Sequence, residues 1–121
     1  MPTVLVVEDE PLIRLTLIDA LEDAGFRVIE AETADEAMDL IAEHTVHLLF
    51  TDIQMPGDMT GIDLAHVVAK RFPEAGIIVA SGRLTPDDID LPASAEFFSK
   101  PYDFSSIVSR LNAMTEATSR Q

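Results

Sequence analysis

The 121-residue chain contains no cysteine, so disulfides and thiolate metal sites are excluded. No apolar run approaches the ~20 residues a membrane span needs. The opening "MPTVLVVEDE" lacks the basic start of a secretory signal, and a cytoplasmic location is the expectation. Positive charge is scarce: 8 bases face 22 acids, for a net charge of −14, and only Lys70 and Lys100 are lysines. Direct binding to nucleic acid needs a basic surface and is not expected, nor is attachment to an anionic membrane. Repeats and low-complexity tracts are also missing. A chain of this length supports one compact domain with a single core, residues 1–121.

What is present is alternation. Short apolar, β-branched runs occupy residues 3–7 (TVLVV), 26–31 (FRVIEA), 46–51 (VHLLFT), 76–81 (GIIVAS) and 95–99 (AEFFS). The first, third and fourth are almost continuously apolar, as parallel strands covered on both faces are. Helical spacing links Ile13, Leu17, Ala20, Leu21 and Ala24, with Pro11 near the start and Gly25 as the stop. A second helix follows a Thr33–Glu36 capping box and carries Ala37, Met38 and Ile41. Leu64, Ala65, Val68 and Phe72 mark a third, closed by Pro73, and Phe104, Ile107, Val108, Leu111 and Met114 a last one capped by Asp103. Between the fourth and fifth strands, Thr85 and Pro86 can start a helix, but Pro92 allows it only a turn or two. Five strand–helix alternations predict a doubly wound α/β domain of the flavodoxin-like type, with a five-stranded parallel sheet of order 2-1-3-4-5 and a shortened fourth helix.

In that order the first, third, fourth and fifth strands are neighbours, and their carboxyl ends form one rim. Glu8 and Asp9 follow the first strand, Asp52 ends the third, Ser81 the fourth, and Lys100 and Pro101 follow the fifth. Carboxylates gathered there repel, by about 4 kcal/mol for one pair ~4 Å apart at an effective dielectric near 20. A divalent cation relieves that, and oxygen-only ligands favour a hard ion such as Mg²⁺. Lys100 as a point charge and Ser81 as a donor suit phosphoryl oxygens, and the acid deepest in the cluster, Asp52, is the expected acceptor. Each residue has a plainer reading: Asp52 as a turn former, Glu8 and Asp9 as caps of the first helix, Ser81 as a turn residue, Lys100 as a solvated charge. Their coincidence at one rim argues against those readings taken together. His44, His47 and His66 show no ligand spacing, and Asp87, Asp88 and Asp90 read as a solvated turn.

The motifs "VLVVEDE", "DIQMPGDMTG", "VASG" and "FFSKPYD" together resemble, along the whole chain, the receiver domain of two-component response regulators. The resemblance implies that Asp52 takes a phosphoryl group from the phosphohistidine of a sensor histidine kinase or a phosphotransfer protein, with Mg²⁺ held by Glu8, Asp9, Asp52 and the backbone carbonyl of Gln54. It implies that Ser81 and Lys100 bind the phosphoryl oxygens. It also makes Ser81, Phe97 and Pro101 the switch, with a cis bond before Pro101 that would point the lysine inward. Such a domain is a signalling module rather than an enzyme. It passes its state to a downstream protein target, and the short tail "EATSRQ" leaves the chain with no output domain of its own. Three departures stand out: the loop "MPGDMTG" is one residue longer than the commonest form, Thr60 replaces an acid, and the Ser81–Lys100 stretch is short. The loop and the "KPY" ending look like stand-alone or hybrid-kinase receivers that work with HWE-type kinases. Rival readings are a pseudo-receiver that binds partners without phosphorylation, a receiver excised from a hybrid kinase, and an aspartyl phosphatase. The last needs a second acid where Gln54 stands.

Overall fold

The structure, a computed structural model, describes residues 2–55, 57–85, 87 and 89–119. The elements are β1 (Thr3–Val7), α1 (Pro11–Asp23), β2 (Arg27–Ala31), α2 (Ala34–Glu43), β3 (Leu48–Asp52), α3 (Gly61–Arg71), β4 (Gly76–Ser81), β5 (Ala95–Ser99) and α4 (Phe104–Ser119). The strands pair in parallel in the order β2-β1-β3-β4-β5, as expected.

Alternation along the central strands divides the core in two. Leu5, Val7, Leu49, Ile77 and Val79 face α2 and α3, where Ala37, Ile41, Leu64 and Val68 close one layer. Val4, Val6, Leu48, Phe50, Ile78 and Ala80 face α1 and α4, where Leu17, Leu21, Ile107 and Leu111 close the other. β1 and β3 are buried at every position, whereas β5, at the edge, is only partly covered.

Helix ends follow local chemistry. After α1, Gly25 takes a φ of 95°, its N–H donating to the Glu22 carbonyl and that of Phe26 to Leu21, a left-handed cap that glycine enters without a Cβ clash. Thr33 Oγ1 accepts from the Glu36 N–H at 3.1 Å, but the Glu36 carboxylate reaches the N–H of Glu32 rather than that of Thr33, so the expected box is only half closed. The complete capping box belongs to α3, where Thr60 and Asp63 exchange side-chain and backbone bonds. Thr60 is therefore the cap of the helix that follows the loop. Asp103 precedes α4 and accepts from the Ser105 N–H, a capping contact.

Between β4 and β5 no α-helix forms among the described residues, and Asp87 lies in a 3₁₀ turn, in keeping with a shortened fourth helix. Only five residues separate Pro86 from Pro92, too few for more than a turn that must end before the second proline. Pro86, the expected start, and Asp88 lie outside the described residues. Among those described, no helix is long and apolar enough to cross a membrane.

Candidate functional site

The carboxyl ends of β1, β3, β4 and β5 bring the charged groups together. Glu8 is 1% exposed and Asp52 5%, while Asp9 is open to solvent. One carboxylate oxygen from each of the three lies within 4.8 Å of those of the other two. Neither Glu8 nor Asp9 is the cap of α1: that position is Glu10, which makes no side-chain capping bond. Lys100 enters from β5, its Nζ donating to Asp52 Oδ2 at 3.0 Å and to Glu8 Oε1 at 3.4 Å. The Lys100–Pro101 peptide bond is cis.

One cation among three acids leaves an excess of negative charge. Burial, and then the Asp52 carboxylate, push Glu8 up to about 7 from its ordinary 4.5, against the opposing pull of Lys100. Partial desolvation pulls the Lys100 ammonium down, but its bond to Asp52 and the fields of Asp52 and Glu8 together outweigh that and hold it charged beyond its usual range. The all-oxygen donor set and the strained ionisation of Glu8 both fit a hard divalent cation such as Mg²⁺.

Ser81 lies on the same rim, buried, but in this structure its hydroxyl serves the loop. It accepts the N–H groups of Arg83 and Leu84 at 3.1 and 3.0 Å and donates to Gln54 Oε1 at 3.4 Å. Phe97 packs half-buried against the α2–α3 layer with Leu84, Ile89 and Leu91, while Phe98 turns to the other layer, as strand alternation requires. None of the histidines joins the site. His47 Nδ1 accepts the N–H of Thr3 at the opposite rim, and His66 bonds the Asp90 carbonyl.

The loop after Asp52 must return immediately into α3. The Gly61 N–H donates to the Ile53 carbonyl at 2.9 Å, and a Cβ at Gly61 would lie 2.0 Å from the backbone oxygen of Asp52. Helix α3 and the end of strand β3 thus meet backbone to backbone.

Two further residues stand at the site, Arg14 outside every quoted motif and Tyr102 inside FFSKPYD without an assigned role. Arg14, 7% exposed on the inner face of α1, donates Nη1 to the Glu8 carbonyl at 2.8 Å, Nε to Glu30 at 3.0 Å and Nη2 to Glu32 at 3.4 Å. The signal was its place three and four residues before Leu17 and Ile18, on the apolar stripe. Tyr102 stands edge-on to both Phe50 and Phe104, with ring centroids 5.6 Å away in each case. Burial, and then the fields of Glu8 and Asp52, push its phenol above the usual range. A cleft of about 370 Å³ lined by Ile13, Lys100, Pro101, Tyr102 and Phe104 opens beside the lysine. A larger one, about 690 Å³, lies at the opposite rim around Pro2, His47 and Phe72, away from every charged group just described. Volume does not mark the chemistry here.

Comparison with known proteins gives a consistent picture. The family model for the response regulator receiver domain matches residues 4–112. The response regulator receiver protein CpdR of Brucella abortus is 34% identical over 118 residues, covering 94% of this chain and 97% of CpdR. The sensor kinase CckA of the same organism is 32% identical over 119 residues, covering 94% of this chain but 12% of the kinase. Among solved structures, the Thermotoga maritima response regulator TrrA, in complex with Mg²⁺–BeF, superimposes with a TM-score of 0.82 at 27% identity, covering 94% of this chain and 99% of TrrA.

Proposed function

Because the chain belongs to the response regulator receiver domain family, we propose that it is the phosphoacceptor module of a two-component phosphorelay in the cytoplasm, with Asp52 as the acceptor. The observation that carries the reading is the pairing of Lys100 Nζ with Asp52 Oδ2 at 3.0 Å inside a three-carboxylate cluster.

One oxygen of the Asp52 carboxylate attacks the phosphorus of a phosphohistidine presented by a sensor kinase or phosphotransfer protein. The P–O bond forms as the P–N bond breaks, and the imidazole departs with the bonding pair and takes up a proton. Glu8, Asp9, Asp52 and the Gln54 carbonyl would hold Mg²⁺, which would supply neutralisation of charge on the phosphoryl oxygens. Lys100 contributes the second positive charge, already desolvated and aimed. Later attack of water returns the carboxylate and phosphate. The donor's histidine approaches over the exposed Leu12 and Leu15 of α1, next to the cleft at Lys100 and Pro101.

The output is a change in which face the domain offers to a downstream protein. On phosphorylation the Ser81 hydroxyl leaves Gln54 and the loop N–H groups for a phosphoryl oxygen, and Phe97, only half-buried, follows into the space released. A few kcal/mol between the two arrangements suffices. The matching relatives include both a receiver protein of about this chain's length and a sensor kinase about eight times as long, and kinases of the HWE type are the donors we would try first. The test is incubation with acetyl phosphate and Mg²⁺. The wild-type protein should acquire an alkali-labile acyl phosphate and Asp52→Asn none. Equal labelling of that variant would sink the proposal.

A further inference from the structure

We infer that Arg14 is a positioning residue for the cation site, tying the end of β2 to the backbone from which Glu8 and Asp9 project. This rests on the reading of Glu8 and Asp9 as ligands of a divalent cation.

The contacts form a closed ring. The Glu8 N–H donates to the Ala31 carbonyl at 3.1 Å, and the Glu8 carbonyl accepts Arg14 Nη1 at 2.8 Å. The same guanidinium reaches Glu30 at 3.0 Å and Glu32 at 3.4 Å, the residues on either side of Ala31. Both polar groups of the Glu8 main chain are therefore bound to one three-residue stretch at the end of β2, residues 30–32, one directly and one through Arg14. β2 places no side chain in the cluster, yet it fixes half of it.

Fold stability alone does not account for this arginine. A buried cation loses several kcal/mol of hydration, and apolar replacements of buried ion pairs are often neutral or stabilising. What a leucine or methionine could not supply is three donors fanned toward three acceptors, and a lysine offers no such planar fork. The need for it follows from repulsion. Asp52 is the last residue of β3 and is held from β4, where it pairs with Ala80 and the next N–H, that of Ile53, donates to the Ala80 carbonyl at 3.0 Å. Glu8 and Asp9 lie beyond the last paired residue of β1, and before a cation binds, their mutual repulsion with Asp52 pushes that turn outward. Arg14 resists the push, so the acids are already spaced when the cation arrives. Outer-sphere partners of this kind are worth about 10–100-fold in metal affinity.

The experiment is calorimetric titration of Mg²⁺ into wild type, R14M and R14K, with ¹⁵N relaxation at Glu8 and Asp9 in metal-free samples. R14M should bind Mg²⁺ at least tenfold more weakly, R14K should fall between, and R14M should show added motion at both amides without metal. Mg²⁺ affinity within twofold of wild type in a folded R14M overturns the inference. Should R14M fail to fold, E30Q/E32Q leaves Arg14 in place but unheld. It is compared with E22Q/D23N, which removes the same charge from the far end of α1. At least threefold weaker binding than that control supports the inference, and equal binding overturns it. A wild-type protein that takes up no Mg²⁺ instead overturns the cation reading beneath, and is recognised because the parent rather than the variant fails.

Discussion

The two flanks of the site are built to different standards. On one side β1 and β3 are buried at every position, Glu8 is 1% exposed, and the Arg14 ring holds the acid turn. On the other, β5 is only partly covered, no α-helix stands between β4 and β5 among the described residues, the Ser81 hydroxyl is bonded to the loop that follows it and to Gln54, and Phe97 is only half-buried. Cation binding needs fixed ligands, because each ångström of rearrangement is taken from affinity. Switching needs a segment whose alternative lies close in energy. Under the proposed function, the contrast teaches that one domain of this size can meet both needs by placing them on opposite sides of a single lysine.

The sharpest way to break this contrast is to truncate one core side chain on each flank. Leu5→Ala, fully buried in β1, should cost about 3 kcal/mol by equilibrium urea unfolding. Phe97→Ala, half-buried on β5, should cost about 1.5 kcal/mol. Equal losses would show that the β5 flank is packed as firmly as the other.

Acidity sharpens the comparison next. Glu8 titrates near 7 in the folded chain and near its ordinary 4.5 when unfolded, so between those values the folded protein holds a proton that the unfolded chain releases. Its contribution is fully present below about pH 4.5 and is lost as pH rises through 7. With chelator present, melting temperature should therefore rise on acidification from pH 8 to 5, and Glu8→Gln should flatten that part of the profile. A profile in Glu8→Gln as steep as wild type would remove Glu8 from the account.

The smallest effect is expected at the outer face of the switching flank. Arg110 pairs with Glu96 there, and that bond lowers the carboxyl below its ordinary range. The pair is exposed, so Glu96→Gln should change stability by less than about 0.5 kcal/mol near neutrality. A larger loss by urea unfolding would mean that the β5 edge leans on surface charge.

Much of this was legible in the residues. Runs such as "TVLVV" and "GIIVAS" could only be covered strands, and once their order was set, Asp52 and Lys100 had to meet. The coarse placement of Glu8, Asp9 and Ser81 followed from the same rim. Arg14 was legible only as a residue on the apolar stripe of α1, because a lone arginine in a helix acquires a role only once Glu30 and Glu32 are seen across from it. Thr60 read only as a missing acid, because its partner Asp63 acquires meaning once the helix start is known. The hydroxyl of Ser81 could be assigned to the rim but not to Gln54, since that bond depends on how the loop after Asp52 folds back onto Gly61.

The ring of Tyr102 has a practical consequence. It is the sole tyrosine of a chain without tryptophan, and it sits between Phe50 and Phe104 next to Lys100. Its ultraviolet emission is thus an unlabelled optical probe, free of competing fluorophores, with which the proposed ion uptake and acyl-phosphate turnover can be followed in real time.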